Sequence, residues 1–190
     1  MSPRPTVSAS PSSPAPDASP PIPDDSPPAP DESPPVPDGD SSPNGEIWQW
    51  ALGRNVWTDP SLEPYARLLG TGDTDVNVAS QGFKLGLDGV GTVVNVTVFN
   101  DENALGFPAS ETNFLAYPGA LPLGLSWEDT ADSVQDKYPD YTRSGGWGTD
   151  IILTYFSAGY RIDVALLARH EDQLPGSPLH SIAVATGPVR

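Results

Sequence analysis

The sequence predicts an α+β domain of two tandem α-β-β-β units, whose antiparallel strands form one curved sheet or two packed ones with the helices packed on one face. Apolar and polar residues alternate in short runs that end at glycine, a pattern typical of antiparallel strands. Each set of runs follows a short apolar stripe at helical spacing. The sets also align, since QGFKL at 81–85 matches AGYRI at 158–162. We therefore place unit one at 46–100 and unit two at 120–186.

Residues 1–44 precede this domain and hold 15 of the 24 prolines. From Ala15 they repeat every seven residues as APDASPP, IPDDSPP and APDESPP, and then degrade to VPDGDSS. Dense proline removes backbone donors, and few large apolar side chains remain to offset chain entropy, so we predict a disordered, extended tail. We interpret it as a spacer. The alternatives are a ligand for a proline-recognition module or a substrate for modification at Ser19, Ser26 and Ser33.

The rest of the chain, 45–190, is predicted to be a single acidic domain. The tail holds seven of the 25 acids and one of the nine bases, which leaves 18 acids against eight bases and a net charge of −10. Such a surface repels nucleic-acid phosphates and anionic lipids and attracts basic proteins. The alternative is that the charge only keeps the domain soluble, and monomeric when free.

The chain contains no cysteine, which excludes disulfides, thiol nucleophiles and cysteine-ligated metals. No apolar segment follows Met1, and no run reaches transmembrane length. We therefore expect no export signal and no membrane insertion. The alternative is a cell-envelope or secreted location, if an upstream signal segment is missing.

Unit one is predicted to open with a strand at 47–52, with Trp48 and Trp50 on one face. A helix follows, because Asp59 is a good capping residue and Pro60 suits a first helical turn. Its apolar residues recur at i, i+3, i+4 and i+7 before Gly70 ends it, namely Leu62, Tyr65, Ala66 and Leu69.

Three strands are expected next, as an antiparallel meander with one buried face. Their inward residues are predicted to be Val76, Val78, Phe83, Leu85, Leu87, Val94, Val96 and Val98. Asp73, Asp75 and Asp88 lie in the turns. A calcium loop requires regularly spaced acids and a terminal glutamate, and that spacing is missing. We interpret these aspartates as turn formers.

The connection at 100–124 has no sustained periodicity, and we expect its aromatics Phe107, Phe114 and Tyr117 to pack it down. A helix is then predicted from a capping-box-like start at Ser126 to Pro139. Its buried residues are expected to be Ala131, Val134 and Tyr138. The carboxylates near its start, Glu128, Asp129 and Asp132, are interpreted as capping groups rather than catalytic ones.

Residues 143–148 are predicted to be a glycine-rich loop that presents Trp147. A hairpin should follow, with strands at 150–156 and 160–168 joined through 157–159. A third strand is expected at 181–185.

The only histidines, His170 and His180, flank a Pro/Gly loop. If that loop joins neighbouring strands, they could face each other and, with Glu171 or Asp172, bind a metal or share a proton. Metal sites usually show tighter ligand spacing, and no nucleophile elbow or phosphate loop is present. We therefore predict no catalytic, cofactor-binding or metal-binding residues.

Binding is better supported than catalysis. Five tryptophans exceed what a small core usually needs. Trp147 in its glycine loop and Trp57 ahead of a helix are candidate partner-binding anchors, with Asp140 and Asp150 as acidic neighbours for a basic partner. The alternative is that most of the five tryptophans are core residues.

Two resemblances follow from these elements. The Leu-Gly, helix, glycine-rich loop and hairpin of 121–166 resemble the repeat of small outer-membrane assembly lipoproteins of the SmpA/OmlA type. The order over about 46–186, including Leu52-Gly53, Gly82-Phe83 and YPGALPLGL at 117–125, is similar to bacterial immunity proteins encoded beside polymorphic toxins. This second resemblance implies a cytoplasmic protein that binds and blocks a cognate toxin, although the proline-rich tail departs from the pattern.

The second expectation is an envelope-associated lipoprotein or surface domain carried on the tail as a stalk. An enzyme that uses His170 and Glu171 ranks third.

Overall fold

The computed structural model describes residues 46–186, so the tail predicted at 1–44 lies outside the described residues. Three short helices and seven strands make up the described part. The helices are α1 (Ile47–Ala51), α2 (Glu63–Ala66) and α3 (Ala131–Lys137). The strands are β1 (Asp75–Val78), β2 (Phe83–Leu87), β3 (Val93–Phe99), β4 (Thr142–Gly146), β5 (Thr149–Ser157), β6 (Tyr160–Leu166) and β7 (Leu179–Thr186).

All seven strands form one antiparallel sheet in the order β1-β2-β3-β7-β6-β5-β4. β7 comes last in the chain and lies between β3 and β6. The antiparallel prediction is confirmed, but the described chain is mostly β, since its helices are only five, four and seven residues long. The sheet does not divide clearly into two α-β-β-β units, because the second half supplies four strands.

One face of the sheet carries the hydrophobic core. Alternate strand residues point to the same side, and these are almost fully buried: Val76, Phe83, Leu85, Val96, Val98, Leu153, Ile162, Val164, Ile182 and Val184. Ile47 of α1, Val134 of α3 and Leu62, just before α2, belong to the same cluster. Burial of each large side chain contributes about 2 kcal/mol, so this face supplies most of the stabilisation.

The other face is less buried and carries more polar and small side chains, although Phe99 and Ile152 also lie on it. One row crosses five neighbouring strands in register: Lys84, Thr97, Ala183, Asp163 and Thr154. The alternation of apolar and polar residues in the sequence therefore reflects a sheet with one buried and one solvent-exposed face.

The prediction of a strand at 47–52 is wrong, because this segment is α1. The Glu46 backbone N–H donates to the side-chain oxygen of Gln49 at 3.3 Å, and the Gln49 backbone N–H donates to the Glu46 carbonyl at 2.8 Å, which closes the first turn of the helix. Ile47, Trp50 and Ala51 are buried at i, i+3 and i+4. That spacing is helical, whereas the strand prediction counted only the alternate tryptophans.

The remaining parts of unit one follow the prediction more closely. Asp59 accepts from the Ser61 backbone N–H at 2.9 Å, and Pro60–Leu62 forms a 3₁₀ turn that leads into α2. The meander is formed by β1, β2 and β3. Val94 does not face inward and is 41% exposed. The ladder shifts at Gly86, so that Val94 is an extra bulge residue.

In the second half, α3 starts after Thr130 rather than Ser126. Thr130 and Ser133 exchange side-chain and backbone hydrogen bonds, and this pair forms the capping box. Ala131 and Val134 are buried and Tyr138 is partly buried, as predicted.

Asp129 precedes α3 and joins it to the preceding turn. Its carboxylate accepts from the Ser126 backbone N–H at 2.9 Å and from Lys137 Nζ at 2.6 Å. Burial raises the pKa of this carboxyl, but the hydrogen bonds outweigh burial and hold the pKa below its ordinary value. This carboxylate therefore has a structural role.

The connection at 100–124 is packed down by its aromatics, as predicted. Phe114 stacks on Phe99 with ring centroids 3.9 Å apart, and Tyr117 meets Phe83 edge-on at 6.4 Å. Tyr117 also donates to Glu46 at 2.8 Å. These contacts hold a long connection against the sheet.

Antiparallel pairing fixes which strand ends lie together. The Trp147 end of the sheet comprises the β4–β5 turn, the end of β3 and the start of β7. The Trp57 end comprises the β2–β3 turn, against which Trp57 lies, and the β5–β6 turn.

Candidate functional site

The Trp147 end holds the most exposed aromatic side chain among the described residues. Trp147 is 96% exposed at the tip of a two-residue turn between β4 and β5. Trp147 has φ 55° and Gly148 has φ 94°, so both residues of the turn are left-handed. This geometry is that of a type I′ hairpin turn.

The first position of such a turn usually holds Asn, Asp or Gly. A bulky residue with positive φ is uncommon, because its Cβ crowds the backbone. Trp147 also gains almost nothing from burial. Trp147 therefore has an unfavourable backbone conformation and also exposes a large apolar side chain to water. Residues that combine these two costs often lie at functional sites.

Prediction of this region was partly wrong. Residues 143–148 were expected to be a loop, but most of them belong to edge strand β4. Four of the five β4 residues are exposed, so the strand lacks the alternation that would have revealed it. The Trp147-Gly148 pair ahead of an alternating run was the available signal, because glycine suits the second position of a type I′ turn.

A cleft of about 420 Å³ lies beside this turn. Its lining residues are Arg143, Gly145, Gly146, Trp147, Ile151, His170, Glu171 and Asp172. Arg143 donates to Glu171 at 2.7 Å, so these two charges neutralise each other. Within residues 46–186, the Asp172 carboxylate has no ion pair or hydrogen bond.

The β6–β7 connection forms one wall of this cleft and is well anchored. Ile151 donates its backbone N–H to Ala168 at 2.8 Å, and Gly148 donates to Arg169 at 3.2 Å. Leu174 is 8% exposed and ties the connection to the core. Hydrogen-bonded backbone of the β4–β5 hairpin and of the β6–β7 connection therefore borders the cleft.

His180 occupies a different environment on the same end of the sheet. It has no partner on β6, because Ser181 pairs with Ala165 and Leu179 with Leu166. Such a bulge turns a side chain away from the regular alternation. The His180 ring stacks on Phe107 with centroids 5.0 Å apart.

Both ring nitrogens of His180 face carboxylates. Nε2 lies 3.2 Å from Glu102 Oε1, and Nδ1 lies 3.8 Å from Asp150 Oδ2. His170 instead lines the cleft. The pairing of the two histidines considered from the sequence is not formed, and His180 links the 100–124 connection to β5.

The metal site considered for these histidines has no support in the described geometry. Within residues 46–186, no group of three or more His, Cys, Asp or Glu side chains is arranged to hold a metal ion.

A second, more open cleft of about 490 Å³ lies next to this histidine. Its lining residues are Leu105, Gly106, Phe107, Pro108, Leu167, Arg169 and Gln173. Arg169 is held by Asp150, with Nε 3.5 Å from Oδ1. The two clefts therefore flank the stretch that contains Arg169 and His170.

The four predicted partner-binding residues do not form one patch. Trp147 and Asp150 share an end of the sheet, but Asp150 is engaged by Arg169 and His180. Trp57 is 63% exposed and lies at the other end, over Gly91. Asp140 is exposed and precedes β4, at its end distant from Trp147.

The surface has acids in excess and no free base among the described residues. Between 46 and 186, 18 acids face seven Lys and Arg residues. Each of these seven bases has a carboxylate partner within 4 Å. Five exposed carboxylates in the same range have neither an ion pair nor a hydrogen bond: Glu111, Glu128, Asp136, Asp140 and Asp172.

The helices in this part of the chain are short. Across 46–186, none is long and apolar enough to cross a membrane. Comparison of the chain with known protein families, curated proteins and solved structures found no match.

Proposed function

We propose that this domain is a non-enzymatic protein-binding module, and that it acts in the cytoplasm as an immunity-type inhibitor of a basic toxin. The observation that carries the proposal is Trp147, which is 96% exposed in a left-handed turn position. Tryptophan is among the residues most enriched at the centres of protein interfaces. Its position on a hairpin tip presents it to a partner with little backbone freedom to lose on binding.

Charge supports a basic partner. All described bases are neutralised within the chain, whereas several carboxylates, including Asp172 beside Trp147, are not. A partner with exposed lysines and arginines would be attracted at long range, and its association would be accelerated. Rapid association favours an inhibitor that must reach its target before damage occurs.

Inhibition is proposed to be steric and electrostatic. The Trp147 turn and the adjoining cleft would contact the toxin and cover its basic surface, with no chemical step.

The first test is capture by the tagged full chain from a lysate of the source organism. We expect one basic protein to be retained at about 50 mM salt and released faster at about 300 mM. Trp147→Asn should weaken capture strongly, because loss of an interface tryptophan typically costs about 2 kcal/mol or more, roughly 30-fold in affinity.

The matched control is Ala158→Asn. Ala158 has φ 50° at the same position of the β5–β6 turn, at the other end of the sheet. This variant should capture the partner normally. The captured protein should be toxic when expressed alone and harmless when co-expressed with this chain. Capture that is equal for both variants, or a partner without toxicity, would refute the proposal.

A further inference from the structure

We infer that the cleft beside Trp147 is a receptor for one arginine side chain of the partner. The inference rests on the proposed function and names the chemistry of the contact. It starts from the charges in the cleft. Arg143 and Glu171 form a pair at 2.7 Å and cancel each other. Asp172 also lines the cleft and has no ion pair or hydrogen bond among residues 46–186, so its negative charge is not compensated there.

Trp147 supplies the second half of the site. Trp147 lines the cleft and is 96% exposed, so almost all of its indole surface is accessible to a ligand. A guanidinium over an indole ring gains about 0.5–2 kcal/mol from cation–π attraction. An arginine bound here would stack on Trp147 and reach Asp172 with its N–H groups.

Other ligand classes fit less well. An anion would meet Asp172, and the nearby cations Arg143 and Arg169 are already paired with carboxylates. A purely apolar group would cover Asp172 without a partner, which is unfavourable. Lysine carries the right charge, but its compact ammonium cannot stack as a plane on the indole. Arginine satisfies both Trp147 and Asp172.

The cavity is large enough for this side chain. At about 420 Å³ it falls within the range of small-ligand sites. Ile151, which is 1% exposed, gives the lining an apolar contact for the methylene stem of arginine.

The test uses the full chain and a short peptide, acetyl-Gly-Arg-Gly-amide, followed by the tryptophan indole N–H signals in NMR. The Trp147 signal is assigned from its loss in Trp147→Phe. We expect this signal to shift saturably, with a Kd on the order of 1 mM. The neutral analogue with citrulline in place of arginine should cause no shift, and the lysine peptide should bind several-fold more weakly.

Matched acid variants locate the charge. Asp172→Asn should weaken the arginine peptide about five-fold or more. Glu128→Gln removes another exposed, unpartnered carboxylate outside the cleft and should leave binding unchanged. Equal binding of the citrulline peptide, equal effects of the two variants, or no saturable shift would each overturn the inference.

This outcome is separable from that of the proposed function. If the peptide fails to bind but Trp147→Asn still weakens capture of a basic protein, only the arginine receptor is wrong. If the peptide binds and no toxin is captured, the receptor stands and the inhibitor proposal fails.

Discussion

Replacement of Trp147 by Asn should stabilise the folded protein while it removes the proposed contact. Trp147 has φ 55°, and a left-handed conformation costs a residue with a bulky side chain roughly 1–2 kcal/mol, whereas Asn tolerates it. Because the side chain is 96% exposed, its removal forfeits almost no buried apolar surface. We expect a net gain of about 1 kcal/mol in the free energy of unfolding, or roughly 3 °C in Tm.

Urea denaturation of the full chain measures this gain, with an unchanged m-value as the sign that both states are otherwise intact. Ala158→Asn relieves the same kind of strain at φ 50° and should gain a similar amount. A loss of more than about 1 kcal/mol for Trp147→Asn alone would refute the reasoning. It would mean that the indole packs against the fold, and that its exposure does not signal a partner.

Three further outcomes test the fold. Gly82→Ala should cost about 3 kcal/mol, because its Cβ would clash with the backbone of Leu115 and Tyr117. The control Gly53→Ala, at φ 77° with nothing within 4 Å, should cost only about 1 kcal/mol. Equal losses in denaturation would contradict this packing. Asp129→Asn should lower the free energy of unfolding by about 2 kcal/mol at pH 7. Because the pKa of Asp129 in the folded protein lies below 3.8, this stabilisation is present above about pH 4 and is lost as the pH falls through the folded pKa. A difference in stability between the two proteins that does not change with pH would exclude a role for the charge. Leu153→Ala should lose about 3 kcal/mol, because Leu153 is 0% exposed at the centre of β5, and a loss under 1 kcal/mol would place it outside the core.

Prediction of the strands succeeded where one face is buried. In β5, Ile151, Leu153 and Tyr155 alternate with half-exposed or exposed residues, and the sequence shows that period directly. The edge strand β4 was missed because neither of its faces is buried, so selection for alternation is weak there. Helix α1 was misassigned because Trp48 and Trp50 suggest a period of two, whereas tertiary burial follows Ile47 and Trp50.

The candidate site was predicted only in part. Trp147 stands out in the sequence because glycines surround it, and its exposure was anticipated. The roles of Asp172 and Arg143 were not anticipated. They are brought to one cleft by the β4–β5 hairpin and the β6–β7 connection, and no local pattern encodes that meeting.

The sequence by itself determined the acidic excess, the antiparallel alternation and the position of most strands, because each depends on residues close together in the chain. Only the tertiary structure decided that β7 lies between β3 and β6, and that Trp147 and Trp57 lie at opposite ends of the sheet. Strand order depends on pairing between segments that are far apart, and the energy of that pairing resides in side-chain complementarity across the sheet. The same long-range pairing leaves one carboxylate beside an exposed indole, on which the proposed binding site depends.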